Sequence, residues 1–225
     1  MKIFGHRGAA GLVAENTLES IEEALKHNVD GVEIDVHCCN SGELVVIHDE
    51  TLDRTTNGSG KVSEYSLVDL QSFMTIEGYR IPTLNQVLEL VDGKCELNIE
   101  LKGVNTALPV MTLLEEYIPN SNWKFDQFIV SSFDHSQLHD IKSVTSQFRI
   151  GVLTEDDIMH AISEAKKLEA YSVHPPISSL TEKGVSLAKE EGYEVYVWTV
   201  NKEQQIKQSK SWLVDGIITD FPNFA

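Results

Sequence analysis

Gly31-Val32-Glu33-Ile34-Asp35-Val36 sets two carboxylates into an otherwise apolar, β-branched run. Such a run favours a strand, and residues i and i+2 of a strand point to the same side. Glu33 and Asp35 therefore share one face, and Ile34 takes the other. A second run ends in Glu100-Leu101-Lys102 and repeats the spacing. Strands that place acids on one side and apolar residues on the other fit a barrel wall, polar towards its interior and apolar towards covering helices.

The rest of the chain supports that reading. Eight β-rich runs, at 2–5, 31–36, 96–101, 127–132, 148–153, 170–173, 194–199 and 216–219, alternate with helical patterns. An extra extended run at 43–48 sits between the second and third. Apolar residues recur at helical spacing in Leu18, Ile21, Ala24 and Leu25, in Leu84, Val87, Leu88 and Val91, and in Val110, Leu113, Leu114 and Tyr117. Leu138, Ile141 and Val144 continue the series, then Ile158, Ile162 and Ala165. Capping-box spacing at Asn16/Glu19, Thr83/Gln86 and Asp134/Gln137 marks three helix starts. Alternating strands and helices imply a parallel sheet. Eight repeats favour an α/β fold closed as a (β/α)8 TIM barrel over an open doubly wound sheet. Too few residues follow the last strand for a full eighth helix. The expected organisation is a single domain over 1–225, with an insertion near 49–82 that is too long for an ordinary βα loop.

The 225 residues are 41% hydrophobic and 24% charged, and the formal net charge is -17. That balance argues against a nucleic-acid partner and against simple docking on anionic lipid. No basic-then-apolar leader opens the chain and no long apolar run follows, so a cytoplasmic protein without stable membrane insertion is expected. Cys38, Cys39 and Cys95 lack the spacing of a zinc site and are expected reduced. The sequence leaves a homo-oligomer open.

In α/β barrels the functional face lies at the strand C-termini. The first strand ends in Gly5-His6-Arg7-Gly8, and the 43–48 run ends in His48-Asp49. Three carboxylates, Glu33, Asp35 and Glu100, would meet in one cavity, where each like-charged pair at ~4 Å repels by about 4 kcal/mol at an effective dielectric near 20. A hard divalent cation, Mg²⁺ or Ca²⁺, resolves that repulsion with oxygen ligands alone. Arg7 and Lys102 supply local positive charge for a phosphate. His6 and His48 are suited to proton transfer near neutral pH. His174, at the end of the sixth run, is a further residue within expected reach of the cavity.

At these residues the sequence resembles the glycerophosphodiester phosphodiesterase family. The resemblance is carried by His6-Arg7-Gly8, Glu15-Asn16-Thr17, Glu33-Ile34-Asp35, His48-Asp49, Glu100-Leu101-Lys102, Ser132-Phe133, Trp198-Thr199-Val200-Asn201 and Asp215-Gly216-Ile217-Ile218-Thr219-Asp220. It implies hydrolysis of glycerophosphodiesters to glycerol 3-phosphate and an alcohol, with one divalent cation on Glu33, Asp35 and Glu100. It also implies His6 and His48 as general acid and base, Arg7 and Lys102 on phosphate, and Phe133 and Trp198 walling the glycerol pocket. Two other functions fit parts of the pattern. A lysophospholipase D would need an apolar groove, for which Val62, Tyr65, Leu67, Leu70, Phe73 and Met74 are candidates. A non-catalytic barrel binding phosphorylated polyols would need Arg7 and Lys102 but neither histidine.

Overall fold

A computed structural model describes residues 1–224. Eight parallel strands close into a barrel: β1 (Lys2–Gly5), β2 (Gly31–Cys38), β4 (Glu96–Leu101), β5 (Phe128–Ser132), β6 (Arg149–Leu153), β7 (Ser172–His174), β8 (Glu194–Val197) and β9 (Gly216–Thr219). Closure comes from β1, which pairs with β2 on one side and β9 on the other. The extra strand β3 (Leu44–Val46) turns back antiparallel on the end of β2. The 43–48 run is thus the return arm of a hairpin that extends β2 above the barrel mouth.

Seven helices of eight or more residues cover the wall: α1 (Leu18–Lys26), α3 (Leu84–Val91), α4 (Ala107–Tyr117), α5 (His135–Val144), α6 (Ile158–Leu168), α7 (Glu182–Glu190) and α8 (Glu203–Ser211). A single turn, α2 (Leu67–Leu70), lies in the insertion, and one 3₁₀ turn, Pro222–Phe224, follows β9 in place of a final helix. Among the described residues no helix is long and apolar enough to cross a membrane.

The alternation in β2 sorts the core. Val32, Ile34 and Val36 point outward into one large cluster with Leu84, Val87, Leu88 and Val91 of α3. Inside the barrel a smaller plug of Phe4, Ile129, Tyr196 and Ile218 is completely or almost completely buried. Phe4 meets Tyr196 edge to face at 5.3 Å. Burying a large apolar side chain contributes roughly 1.5–3 kcal/mol, so this plug makes a firm base for polar groups further along the same strands.

Residues 49–82 carry a core of their own. Leu52, Val62, Leu70 and Ile81 pack with Cys39, Val45 and Ile47 of the hairpin, flanked by Tyr65, Leu67 and Phe73. All but Met74 of the apolar residues weighed as a lipid groove therefore pack into this one cluster.

Two of the three expected capping boxes do not form. Thr83 and Gln86 make theirs reciprocally. At α1 the cap is Thr17, which accepts from the Ser20 N–H, because the Asn16 side chain is engaged elsewhere. At α5, Asp134 caps through the Ser136 N–H, while Gln137 Oε1 accepts from the Thr106 and Ala107 N–H groups at the start of α4.

Candidate active site

Parallel pairing sets Asp35 opposite Glu100, and Glu33 opposite Asn98, on neighbouring strands. One oxygen from each of Glu33, Asp35 and Glu100 lies within 4.8 Å of the other two, and all three residues are buried. Burial, then the charges of Asp35 and Glu100, pushes Glu33 well above the usual carboxylate range. Burial and Asp35 push Glu100 up to about 7. Glu33 Oε1 is buried with no hydrogen-bond partner. A buried acceptor without a donor is costly, and a crowded acid cluster with an orphaned oxygen on Glu33 has the chemistry of a hard-cation site. The donor set fits the expected divalent ion.

Glu33 and Asp35 are also held from outside the sheet. The Arg7 N–H donates to Glu33 Oε2 at 2.9 Å. Asn16 Nδ2 donates to Asp35 Oδ2 at 2.8 Å, and its Oδ1 accepts from the Asp35 N–H at 3.2 Å. Arg7 (φ 49) and Asn16 (φ 57) both sit in the left-handed region, a strained conformation that tends to persist where surrounding contacts impose it. Gly8 (φ 86) lets this loop press against α1. A Cβ there would meet the Ser20 backbone at 2.5 Å.

The two basic residues expected on phosphate pair with the acids in this structure. Arg7 bridges Asp35 at 3.2 Å and Glu15 at 2.7 Å. Lys102 Nζ lies 2.6 Å from Glu100 and 3.8 Å from Asp35. It also sits 5.2 Å from the centroid of the Phe133 ring. Burial works against both cations, but the neighbouring carboxylates prevail and hold both above their ordinary values.

His6 and His48 flank the acids, and each is gripped at Nδ1. His6 Nδ1 lies 2.5 Å from Asp220 Oδ1, and its Nε2 lies 4.0 Å from Glu33. His48 Nδ1 lies 2.6 Å from Asp49 Oδ1. A carboxylate at Nδ1 sets the tautomer and turns Nε2 towards a reacting group. Burial holds His48 below its ordinary value.

A cavity of about 310 Å³ lies over the cluster, lined by His6, Arg7, Glu33, His48, Glu100 and Lys102. Phe133 and Trp198 stand on its wall edge to face, 5.7 Å between centroids. Trp198 Nε1 is fixed by the His174 carbonyl at 2.8 Å. His174 itself is fully buried, with its ring nitrogen 2.8 Å from Ser172 Oγ. It does not line this cavity, and burial holds it down to about 3.

Four supporting residues had no role assigned from the sequence. Asp49 and Asp220 orient the imidazoles. Asn201 Nδ2 donates to Asp220 Oδ2 at 2.5 Å. Arg54 donates from Nε and Nη2 to Asp49 at 2.6 and 2.8 Å, and from Nη1 and Nη2 to Glu15 at 2.9 and 2.8 Å. The position of Asp220, just past a strand C-terminus, was the available signal. Arg54 had none, since its partners depend on the path of the insertion.

This arrangement matches known proteins over its whole length. Residues 6–224 match the model of the "Glycerophosphoryl diester phosphodiesterase family". A glycerophosphodiester phosphodiesterase of Bacillus altitudinis is 38% identical, covering 100% of this chain and 96% of that protein. One from Caldanaerobacter subterraneus is 36% identical, over 98% of this chain and 94% of the relative. A phosphodiesterase of Oleispira antarctica, solved in complex with the product sn-glycerol-3-phosphate, superposes with a TM-score of 0.91 at 26% identity, covering 100% of this chain and 94% of that one. With two such relatives and a family match spanning the barrel, the chain belongs to the glycerophosphoryl diester phosphodiesterase family and is a phosphoric diester hydrolase.

Proposed function

We propose that the chain hydrolyses glycerophosphodiesters to sn-glycerol 3-phosphate and an alcohol, with His6 and His48 moving protons across one cavity. The observation that carries this is the pair of imidazoles, each held at Nδ1 by a carboxylate, beside a crowded and partly orphaned acid cluster. Cleavage of a P–O bond needs one group to take a proton from the attacking oxygen and another to give one to the departing alkoxide. Two oriented imidazoles supply both, and the net reaction consumes one water.

Glu33, Asp35 and Glu100 would hold one divalent cation, Mg²⁺ or Ca²⁺, which supplies Lewis-acid polarisation of a phosphoryl oxygen. Arg7 and Lys102 then contact the phosphate from beside the acids. The charges support this division: three carboxylates and a phosphodiester are balanced by two basic side chains and a divalent ion. Phe133 and Trp198 wall the glycerol side. Residues 1–225 act as one domain in this reading, with 49–82 as an insertion whose Arg54 reaches back to the barrel loop at Glu15.

A coupled assay for sn-glycerol 3-phosphate over a panel of glycerophosphodiesters tests the proposal. Turnover should vanish with chelator and return with added Mg²⁺ or Ca²⁺. His6→Ala and His48→Ala should each lower kcat by about 10²–10⁴-fold. Near-normal turnover in both variants would sink it. Binding of sn-glycerol 3-phosphate without turnover under any cation would leave a polyol phosphate binder instead.

A further inference from the structure

The cavity over the acid cluster has a floor, and one polar residue there has no part in the function proposed above. Ile218 lines the cavity and belongs to the apolar plug with Phe4, Ile129 and Tyr196. The plug residues are at most 3% exposed, so the cavity ends on them. Asn98 lines the same cavity and is buried.

Its depth follows from the strand. Asn98 and Glu100 lie on β4 and Lys102 just past its end, at alternate positions, so the three share the inward side. Lys102 reaches back to Glu100 at 2.6 Å, which sets the phosphate at the level of that pair. Two residues of strand span roughly 7 Å. Asn98 lies that much deeper, a distance comparable to an extended three-carbon arm. Parallel pairing puts it beside Glu33. Phe133, Leu153 and Trp198 supply apolar walls to the same space.

The Asn98 amide is already oriented. Its Oδ1 accepts from Ser131 Oγ at 2.9 Å, and Ser131 is fully buried on β5. That bond leaves the Nδ2 donors for the cavity, and among the described residues no acceptor takes them. A buried donor left unpaired is costly. A few fixed polar groups among apolar walls are what orient a small ligand, and this one calls for a ligand oxygen.

We infer that Asn98 is the specificity residue for the glycerol arm: its Nδ2 donates to the terminal 1-hydroxyl of the substrate at the closed end of the cavity. The inference rests on the reading of the chain as a hydrolase of glycerophosphodiesters. The 2-hydroxyl, one carbon nearer the phosphorus, stays closer to Glu100, and only the 1-hydroxyl reaches the floor. A site built around a hydrogen-bond donor rejects an analogue that lacks the oxygen, because the donor is left unpaired. The floor also rejects an ester at that position, since an acyl chain would have to pass the plug. About 310 Å³ holds about ten water-sized groups at roughly 30 Å³ each, enough for a glycerol arm with its phosphate. Asn98 and the plug together select the deacylated diester.

Wild-type protein and Asn98→Ala would be assayed on the choline ester of sn-glycerol 3-phosphate and on its 1-deoxy analogue, which ends in a methyl group. Melting curves would verify that the variant folds. Wild type should prefer the parent ester by about tenfold or more in kcat/KM. Asn98→Ala should lose about that factor on the parent and less than about threefold on the deoxy analogue, so that the preference collapses. Calorimetry on wild type alone gives a second measurement, independent of how the variant folds. There sn-glycerol 3-phosphate should bind about tenfold more tightly than its 1-deoxy analogue. The 1-acyl ester should be turned over at least about a hundredfold more slowly than the parent. Equal losses on both substrates in Asn98→Ala would assign the amide to support of Glu33 and overturn the inference. So would a wild type that treats the parent, deoxy and acyl esters alike, or binds both phosphates equally. Those outcomes leave the hydrolase reading intact, whereas a wild type inactive on every ester would overturn both.

Discussion

The two imidazoles facing the cavity are held by the same chemistry and by opposite means. His6 leans on Asp220, a residue 214 positions away in the chain. That contact forms where β1 and β9 close the barrel, next to the pairing of Gly5 with Thr219. Asn201 locks it, donating to the Asp220 carboxylate and accepting from the Asp220 N–H at 2.9 Å. His48 leans on its own neighbour, Asp49, and that carboxylate is fixed by Arg54 five residues on. Arg54 in turn grips Glu15, and the His37 ring of β2 meets the His48 carbonyl at 3.1 Å; these contacts tie this side to the barrel. One histidine is as firmly placed as the barrel closure; the other is as firmly placed as a strap. The same geometry can thus rest on global or on local stability.

Removing the two orienting carboxylates should expose the difference. Asp220→Asn and Asp49→Asn should each lower kcat by about 10–100-fold, since each loosens an imidazole and alters its tautomer preference. Their stabilities should diverge. Asp220→Asn also weakens the half-buried link to Asn201, a loss of about 1 kcal/mol, and should lower the melting temperature by roughly 2–4 °C. Asp49→Asn should leave melting nearly unchanged. Thermal scans paired with steady-state kinetics provide the measurement, and matching shifts in the two variants would break the contrast.

That contrast was only partly legible in the sequence. The alternation of Glu33, Ile34 and Asp35 has period two, and a parallel strand with one polar face projects it directly into a barrel interior. The histidines and the acid triad follow from reading strand ends, which is local information. Capping spacing was a weaker guide. Asn16 and Gln137 hold the right types at the right positions, yet Asn16 is committed to Asp35 and Gln137 to the start of α4. A polar side chain serves whichever partner tertiary packing brings closest, and spacing along the chain cannot rank those partners. Asp220 and Arg54 belong to the same class. The first needs the barrel closed before its partner exists, and the second needs the insertion folded back over the mouth.

Arg54 offers a smaller and more selective perturbation. Arg54→Gln removes the fork on Asp49 without touching Asp220, and should lower kcat by about tenfold while melting changes little. Arg54→Lys keeps the charge and loses the fork, and should fall between. The Arg54 side chain is 47% exposed, so millimolar guanidinium should enter the vacated place and restore part of the Arg54→Gln activity. The same salt should do nothing for Asp220→Asn. Rescue of both variants, or of neither, would show that the two supports do not differ in the way described.

Acid should separate the two regions most gently, in different pH windows. Burial alone would raise Glu15, but hydrogen bonds from Arg54 and the charge of Arg7 outweigh it and hold the carboxyl at about 2, against an ordinary 4.5. Asp49 is held low too, first by its hydrogen bond from Arg54. A carboxylate depressed on folding stabilises above its unfolded value and loses that contribution as pH falls through the folded one. The strap should therefore hold from neutral pH to about 4.5 and loosen between there and about 2. The metal-free acid cluster has the opposite sign. Glu100 is raised to about 7 and Glu33 is raised as well, so the folded barrel binds more protons than the unfolded chain between about 7 and 4.5 and gains stability as pH falls through that window. A bound divalent ion removes this gain, because it neutralises the same oxygens. Lowering the pH from 7 to 5 should raise the melting temperature of chelated protein relative to protein with added Mg²⁺. Protection factors for hydrogen exchange in residues 49–60, corrected for the intrinsic pH dependence, should remain steady over that interval and then fall below about 4.5, ahead of β2 and β4. Simultaneous loss of protection in all three segments would mean that the insertion and the barrel mouth open as one unit, and the strap would then be part of the wall.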